Sequence, residues 1–160
     1  MTTLPTDRFQ EIVKLHAAPL TLYARQFFEQ HDFHAAEEVV QDVLFRLSQQ
    51  SNEPEHLAAW LYKSVRNAAI TAARSAKRRK HRESTWIPFF QQTSESGEDA
   101  EQIAELLQNL EPTQREIVML YIWGTRPFKE IAEILKMPMT TVFRKYHEAL
   151  EILREELSEP

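Results

Sequence analysis

Only two of the 160 residues are glycine, Gly97 and Gly124. Tight hairpins need positive φ, which glycine adopts at least steric cost, so a sheet of short strands would have almost no turns to use. Neither glycine has a partner at the spacing of a phosphate-cradling loop. The apolar residues instead keep helical time. Phe9, Ile12, Val13 and Leu15, then Leu20, Leu22, Tyr23 and Phe27, recur every three or four positions. An apolar share of 42% suffices for a packed core and argues against wholesale disorder. Cysteine is absent, which excludes a disulfide framework, a thiolate zinc site and a cysteine nucleophile. No apolar run approaches the roughly 18 residues of a membrane span. Met1 to Arg8 carries no apolar signal core, so a cytoplasmic protein without direct membrane insertion is expected.

Punctuation then divides the helices. Pro19 is expected to separate or kink two of them. Asp32 is a suitable N-cap for a helix over about 33–49 with Val39, Val40, Val43, Leu44 and Leu47 inward. Asn52-Glu53-Pro54 is a break before a helix over about 55–81, with Leu57, Trp60, Leu61, Val65, Ala68, Ala69 and Ala72 on its buried side. Residues 83–99 lose the period and end in the polar run Thr93 to Asp99, which reads as a flexible linker. An apolar island, Trp86 to Phe90, precedes that run. Four more helical stretches follow. Thr113 to Glu116 has capping-box form, and Met137-Pro138 interrupts the last two stretches. The expected fold is all-α: two small helical domains, 1–82 and 100–160, joined by the linker 83–99.

The formal net charge of −5 looks wrong for a nucleic-acid binder. Its distribution reverses that impression. Residues 1–56 hold 4 basic and 9 acidic side chains, residues 57–82 hold 8 basic and none acidic, and residues 83–160 hold 7 basic and 15 acidic. One segment therefore carries all the excess positive charge, which is the footprint of a polyanion partner.

Three constellations carry chemistry. Phe128 to Leu150 has the pattern of a helix-turn-helix, with the small Ala132 allowing close approach. The early residues of its second helix, Thr140, Thr141, Phe143, Arg144 and Lys145, with His147 one turn on, would lie nearest the bases of a major groove. The basic segment supplies Lys63, Arg66, Arg74, Lys77, Arg78, Arg79, Lys80 and Arg82 for phosphates. Trp60 and Tyr62 there could offer stacking faces, although Trp60 between Leu57 and Leu61 reads as core. Glu37, Glu38, Gln41 and Asp42 form an acidic helical face suited to basic side chains of a protein partner. His34 with Glu38 is the one conceivable metal pair, and a solvated face is its ordinary explanation. No catalytic residue, metal or cofactor is called for.

In this order the three signals resemble the extracytoplasmic-function sigma factors of bacterial RNA polymerase. AAEEVVQDVLFRL, residues 35–47, is similar to the family's helix that docks on the polymerase clamp. HLAAWLYKSVRNAAITAARSAKRR, residues 56–79, is similar to the helix that melts and reads the −10 element, with Trp60-Leu61 and Arg66-Asn67 in place. Residues 105–150 resemble the domain that reads the −35 element. The resemblance implies that Glu37, Glu38, Gln41, Asp42 and Arg46 grip the clamp. It implies −10 contacts from Trp60, Lys63, Arg66, Asn67, Thr71, Arg74, Lys77 and Arg78, and a pocket for a flipped base in the loop Gln50 to His56. It implies −35 contacts from Thr140, Thr141, Phe143, Arg144, Lys145 and His147. The partners implied are core polymerase, promoter DNA and an anti-sigma factor, often membrane-tethered.

Four departures stand against the family pattern. Ala35 and Thr71 replace common aspartates, Pro138 replaces the serine that caps the recognition helix, Phe143 and Glu148 stand where the family is often basic, and Trp123 to Phe128 is one residue longer. A stand-alone helix-turn-helix regulator or adaptor is the competing reading, and a His34/Glu38 metalloenzyme a third. Only the sigma reading requires Glu37 to Arg46 to bind polymerase.

Overall fold

The structure is a computed structural model that describes residues 3–29, 32–78 and 97–158. These residues form seven helices: α1 (Thr6–Arg25), α2 (Phe33–Ser48), α3 (Leu57–Arg78), α4 (Gly97–Gln108), α5 (Pro112–Ile122), α6 (Phe128–Leu135) and α7 (Met139–Ser158). The chain divides into two compact units, Met1–Ile87 and Pro88–Pro160. Most of the expected linker, together with the island Trp86 to Phe90, lies outside the described residues. Its last three residues, Gly97 to Asp99, belong to α4 and not to a linker.

In the first unit α1, α2 and α3 all pack on one another. Ile12, Leu20 and Tyr23 of α1, Val40, Val43 and Leu47 of α2, and Leu61, Tyr62 and Val65 of α3 are buried. Each such aliphatic side chain contributes about 1.5–3 kcal/mol. Tyr23 and Tyr62 meet edge to face at 5.3 Å. Pro19 does not divide α1, which runs through it. The missing N–H removes one bond, while Ile12 on one side and Leu20 on the other bury a continuous face. Asp32 caps α2 as expected, its Oδ1 accepting from the Ala35 N–H at 3.1 Å. α3 opens at Leu57, later than Pro54, with the His56 carbonyl accepting from the Trp60 N–H. The loop between α2 and α3 is tied down by Arg8, whose Nε donates to Glu53 Oε2 at 3.1 Å while its second nitrogen meets Oε1.

In the second unit α4, α5 and α6 each contact α7. Ile117, Val118, Leu120, Ile131, Val142 and Ala149 form the center of its core. The capping box of α5 is not Thr113 to Glu116. It begins two residues earlier at Glu111, whose N–H donates to Gln114 Oε1 at 3.2 Å, because Pro112 has the φ that a first helical residue needs. Arg115 ties α5 to the end of α4 through the carbonyls of Leu107 and Leu110. Partial burial lowers its pKa.

Both turns of the helix-turn-helix region use left-handed backbone, and neither uses glycine there. Thr125 has φ 51° and Lys136 φ 55°. The long 123–128 connection is held by Arg126, which donates to the Gly124 carbonyl at 3.0 Å and pairs with Glu130 at 3.0 Å. Lys136 ends α6, and Met137 N–H returns to the Ala132 carbonyl. No serine is needed to start α7, since the Pro138 carbonyl accepts from Thr141 and Val142.

Candidate nucleic-acid interface

The outward face of α3 follows from its buried face. Leu61, Tyr62, Val65 and Ala69 point into the core, so Lys63, Arg66, Asn67 and Arg74 share the other side at helical spacing. Lys63, Asn67, Thr71 and Arg74 are exposed, and Arg66 is half-buried. Thr71 does not present its hydroxyl freely, because it donates to the Asn67 carbonyl at 2.9 Å. Trp60 corrects the sequence reading. It is half-buried, on the side of Lys63, Asn67 and Thr71, one step along the same row. Tyr62 is the aromatic that goes inward. Lys77 and Arg78 lie in the last turn of α3, and their side chains lie outside the described set.

On α2, Glu38, Gln41, Asp42 and Arg46 are exposed and Glu37 is half-buried. Gln41 Nε2 donates to Glu37 Oε1 at 3.1 Å, which holds that carboxylate along the helix. His34 Nε2 lies 3.7 Å from Glu38 Oε1, both side chains in solvent. Among the described residues no three His, Asp or Glu side chains converge on a common point.

The start of α7 is exposed and apolar. Met139 is 55% and Phe143 52% exposed, one turn apart, with exposed Thr140, Arg144 and His147 beside them. The cations are not equivalent. Arg144 pairs with Glu148 at 3.4 Å on the surface. Lys145 turns away to Glu111 at the start of α5, at 3.6 Å, and is only 19% exposed. It therefore joins α7 to α5. Thr141 is half-buried on the same inner side. Phe143 leans edge-on against Phe128 at 5.7 Å and His147 at 4.3 Å. Phe128 in turn stacks on Tyr121 at 4.5 Å and meets Tyr146. Burial raises the Tyr146 pKa.

Comparison with known proteins now bears on these faces. Residues 12–79 match the family model "Sigma-70 region 2" and residues 100–153 match "Sigma-70, region 4". The sigma factor RpoE from Bartonella quintana, solved in complex with the anti-sigma factor NepR, is similar to this chain with TM-score 0.72 and 26% identity. The similarity covers 96% of this chain and 98% of that one. The chain belongs to the extracytoplasmic-function class of the sigma-70 family. As such it binds RNA polymerase core and directs promoter-specific transcription initiation. CnrH, solved with the cytosolic domain of CnrY, shares the fold with TM-score 0.62 and 20% identity over 96% of this chain and 90% of that one. No curated protein matches it significantly. Among the described residues no helix of this sigma factor is long and apolar enough to cross a membrane.

Two features of the sigma factor escaped the sequence reading. Phe45 is 64% exposed in the middle of the acidic α2 face, between Gln41, Asp42 and Arg46. The spacing held the signal, since Phe45 falls three and four residues after Asp42 and Gln41 while the core positions are 43, 44 and 47. The aromatic set Tyr121, Phe128, Phe143, Tyr146 and His147 joins three helices, and no sequence period shows contacts between separate helices.

Proposed function

We propose that the sigma factor divides its work among three helical faces. The α2 face Glu37, Glu38, Gln41, Asp42 and Arg46, with Phe45 as its apolar anchor, docks on a basic, partly apolar helical surface of the polymerase clamp. The α3 face holds the opened −10 strand. Lys63, Arg66 and Arg74, continued by Lys77 and Arg78, neutralise backbone phosphates, Trp60 stacks on or wedges a base, and Asn67 contacts a base edge. Thr71 supports Asn67 through their shared helical turn. The loop 50–56, fixed to α1 by Arg8 and Glu53, borders the site of a flipped base, whose unstacking costs about a few kcal/mol. The start of α7 reads the −35 element through Thr140, Phe143, Arg144 and His147, while Thr141 and Lys145 brace it from within.

The domains in this reading are 1–82 for core and −10 contacts and 100–160 for −35 contacts, with the segment between them, whose last three residues open α4, raising the effective concentration of one at the other. The factor works in the cytoplasm and is held inactive by a protein anti-sigma factor, a reading supported by the complex of RpoE with the anti-sigma factor NepR. The observation that carries the assignment is α3, a helix with no acidic residue whose Lys63, Arg66, Asn67 and Arg74 share one outward face beside a half-buried Trp60.

The test is reconstitution with bacterial core polymerase. A complex on size exclusion and defined start sites on genomic fragments are expected. Glu38→Lys with Asp42→Lys is expected to weaken core binding by at least about tenfold. A stand-alone regulator would bind DNA and give no core-dependent transcript.

A further inference from the structure

We propose that the −35 element of this sigma factor is read mainly through thymine methyl groups, by Phe143 with Met139. The inference rests on the assignment of α7 to the −35 major groove and goes one step further, to the chemistry of recognition. A recognition helix ordinarily discriminates bases with forked cations or amides on base edges. Here the exposed positions of the first turns are Met139, Thr140, Phe143 and Arg144, and two of the four, Met139 and Phe143, are apolar and more than half exposed. The lysine of these turns reaches to Glu111, and the arginine pairs with Glu148 in solvent. The surface Arg144 pair is weak and exchanges readily for a phosphate. In the Lys145 pair the lysine side chain is largely covered, while Glu111 stays exposed.

Phe143 is also held in place. Phe128 and His147 both contact its ring edge-on, which reduces the rotamer freedom to be lost on binding. In the major groove the one apolar feature of a base edge is the thymine 5-methyl, and phenylalanine is a recognised partner for it. Charge agrees. With 7 basic and 15 acidic side chains in residues 83–160, general attraction to phosphate is a poor source of affinity there. Removing a methyl from water contributes about 0.8 kcal/mol, roughly a fourfold effect per contact.

The experiment uses reconstituted holoenzyme on a promoter found by its own transcripts. Each −35 thymine on either strand is replaced singly by deoxyuridine, which removes the methyl and nothing else. Open-complex formation with wild type is expected to fall about threefold to fivefold at one or two positions. With Phe143→Ala the thymine and deoxyuridine templates should perform equally, and with Phe143→Leu the discrimination should partly return. Wild-type indifference at every −35 thymine, an element without thymine, or undiminished discrimination by Phe143→Ala overturns the proposal. Absence of any core-dependent start site overturns the assignment of the helix as well, which separates the two failures.

Discussion

α3 and α7 are both long amphipathic helices, and they handle positive charge in opposite ways. α3 carries Lys63, Arg66 and Arg74 in a segment with no acidic residue. α7 closes Arg144 on Glu148 and Lys145 on Glu111, and leads with Met139 and Phe143. A strand held after melting offers mainly phosphates and unstacked rings, which suits cations beside Trp60. A closed duplex offers base edges to be told apart, and a cation-rich helix would bind every sequence alike. In the proposed division, an acidic second unit would suppress that background.

The contrast can be broken most severely at α3. Arg66→Glu with Arg74→Glu is expected to lower open-complex formation about a hundredfold while core binding persists, read by promoter opening and by size exclusion on the same samples. A loss below tenfold would remove α3 from the electrostatic role. Phe45→Ala comes next. It should lower core affinity about tenfold in a competition assay, with no fall in the thermal midpoint, since the ring is mostly in solvent.

Lys63→Gln and Lys145→Gln form the sharpest pair. The first should reduce the salt slope of promoter binding by about 0.7–0.9, one phosphate contact. The second should leave the slope unchanged and cost only about 0–1 kcal/mol of stability in denaturant unfolding. Equal slopes would erase the distinction between the helices.

The smallest effect is acid sensitivity. The hydrogen bond from Arg8 holds the Glu53 pKa below the ordinary glutamate value. Glu53 therefore stabilises the fold above the ordinary value of about 4.3, and this contribution is lost as pH falls through the lowered one. Arg8→Ala should shift the acid unfolding midpoint slightly upward. An unchanged midpoint would mean that the loop 50–56 does not depend on the clamp.

Much of this was legible before any coordinates. The period of three and four residues, with two glycines, dictated helices, and Asp32 marked the start of α2 within a residue. Errors fell where a local rule met a tertiary one. Pro19 breaks helices in isolation, yet here packing on both sides carries α1 across it. Trp60 looked like core from its apolar neighbours Leu57 and Leu61, but α3 turns it toward Lys63 and Asn67. The rest of the expected face holds, with Leu61, Val65 and Ala69 fully buried.

The sequence by itself determined the helical class, the segregation of charge and the order of the three faces, because composition and periodicity act through local backbone preference and burial. The tertiary structure decided which charges remain available. Glu111 lies 34 positions before Lys145, and no pattern along the chain predicts that the two meet. Folding α5 against α7 pairs that lysine with Glu111, and packing α6 against α7 sets Phe128 edge-on to the exposed Phe143 ring.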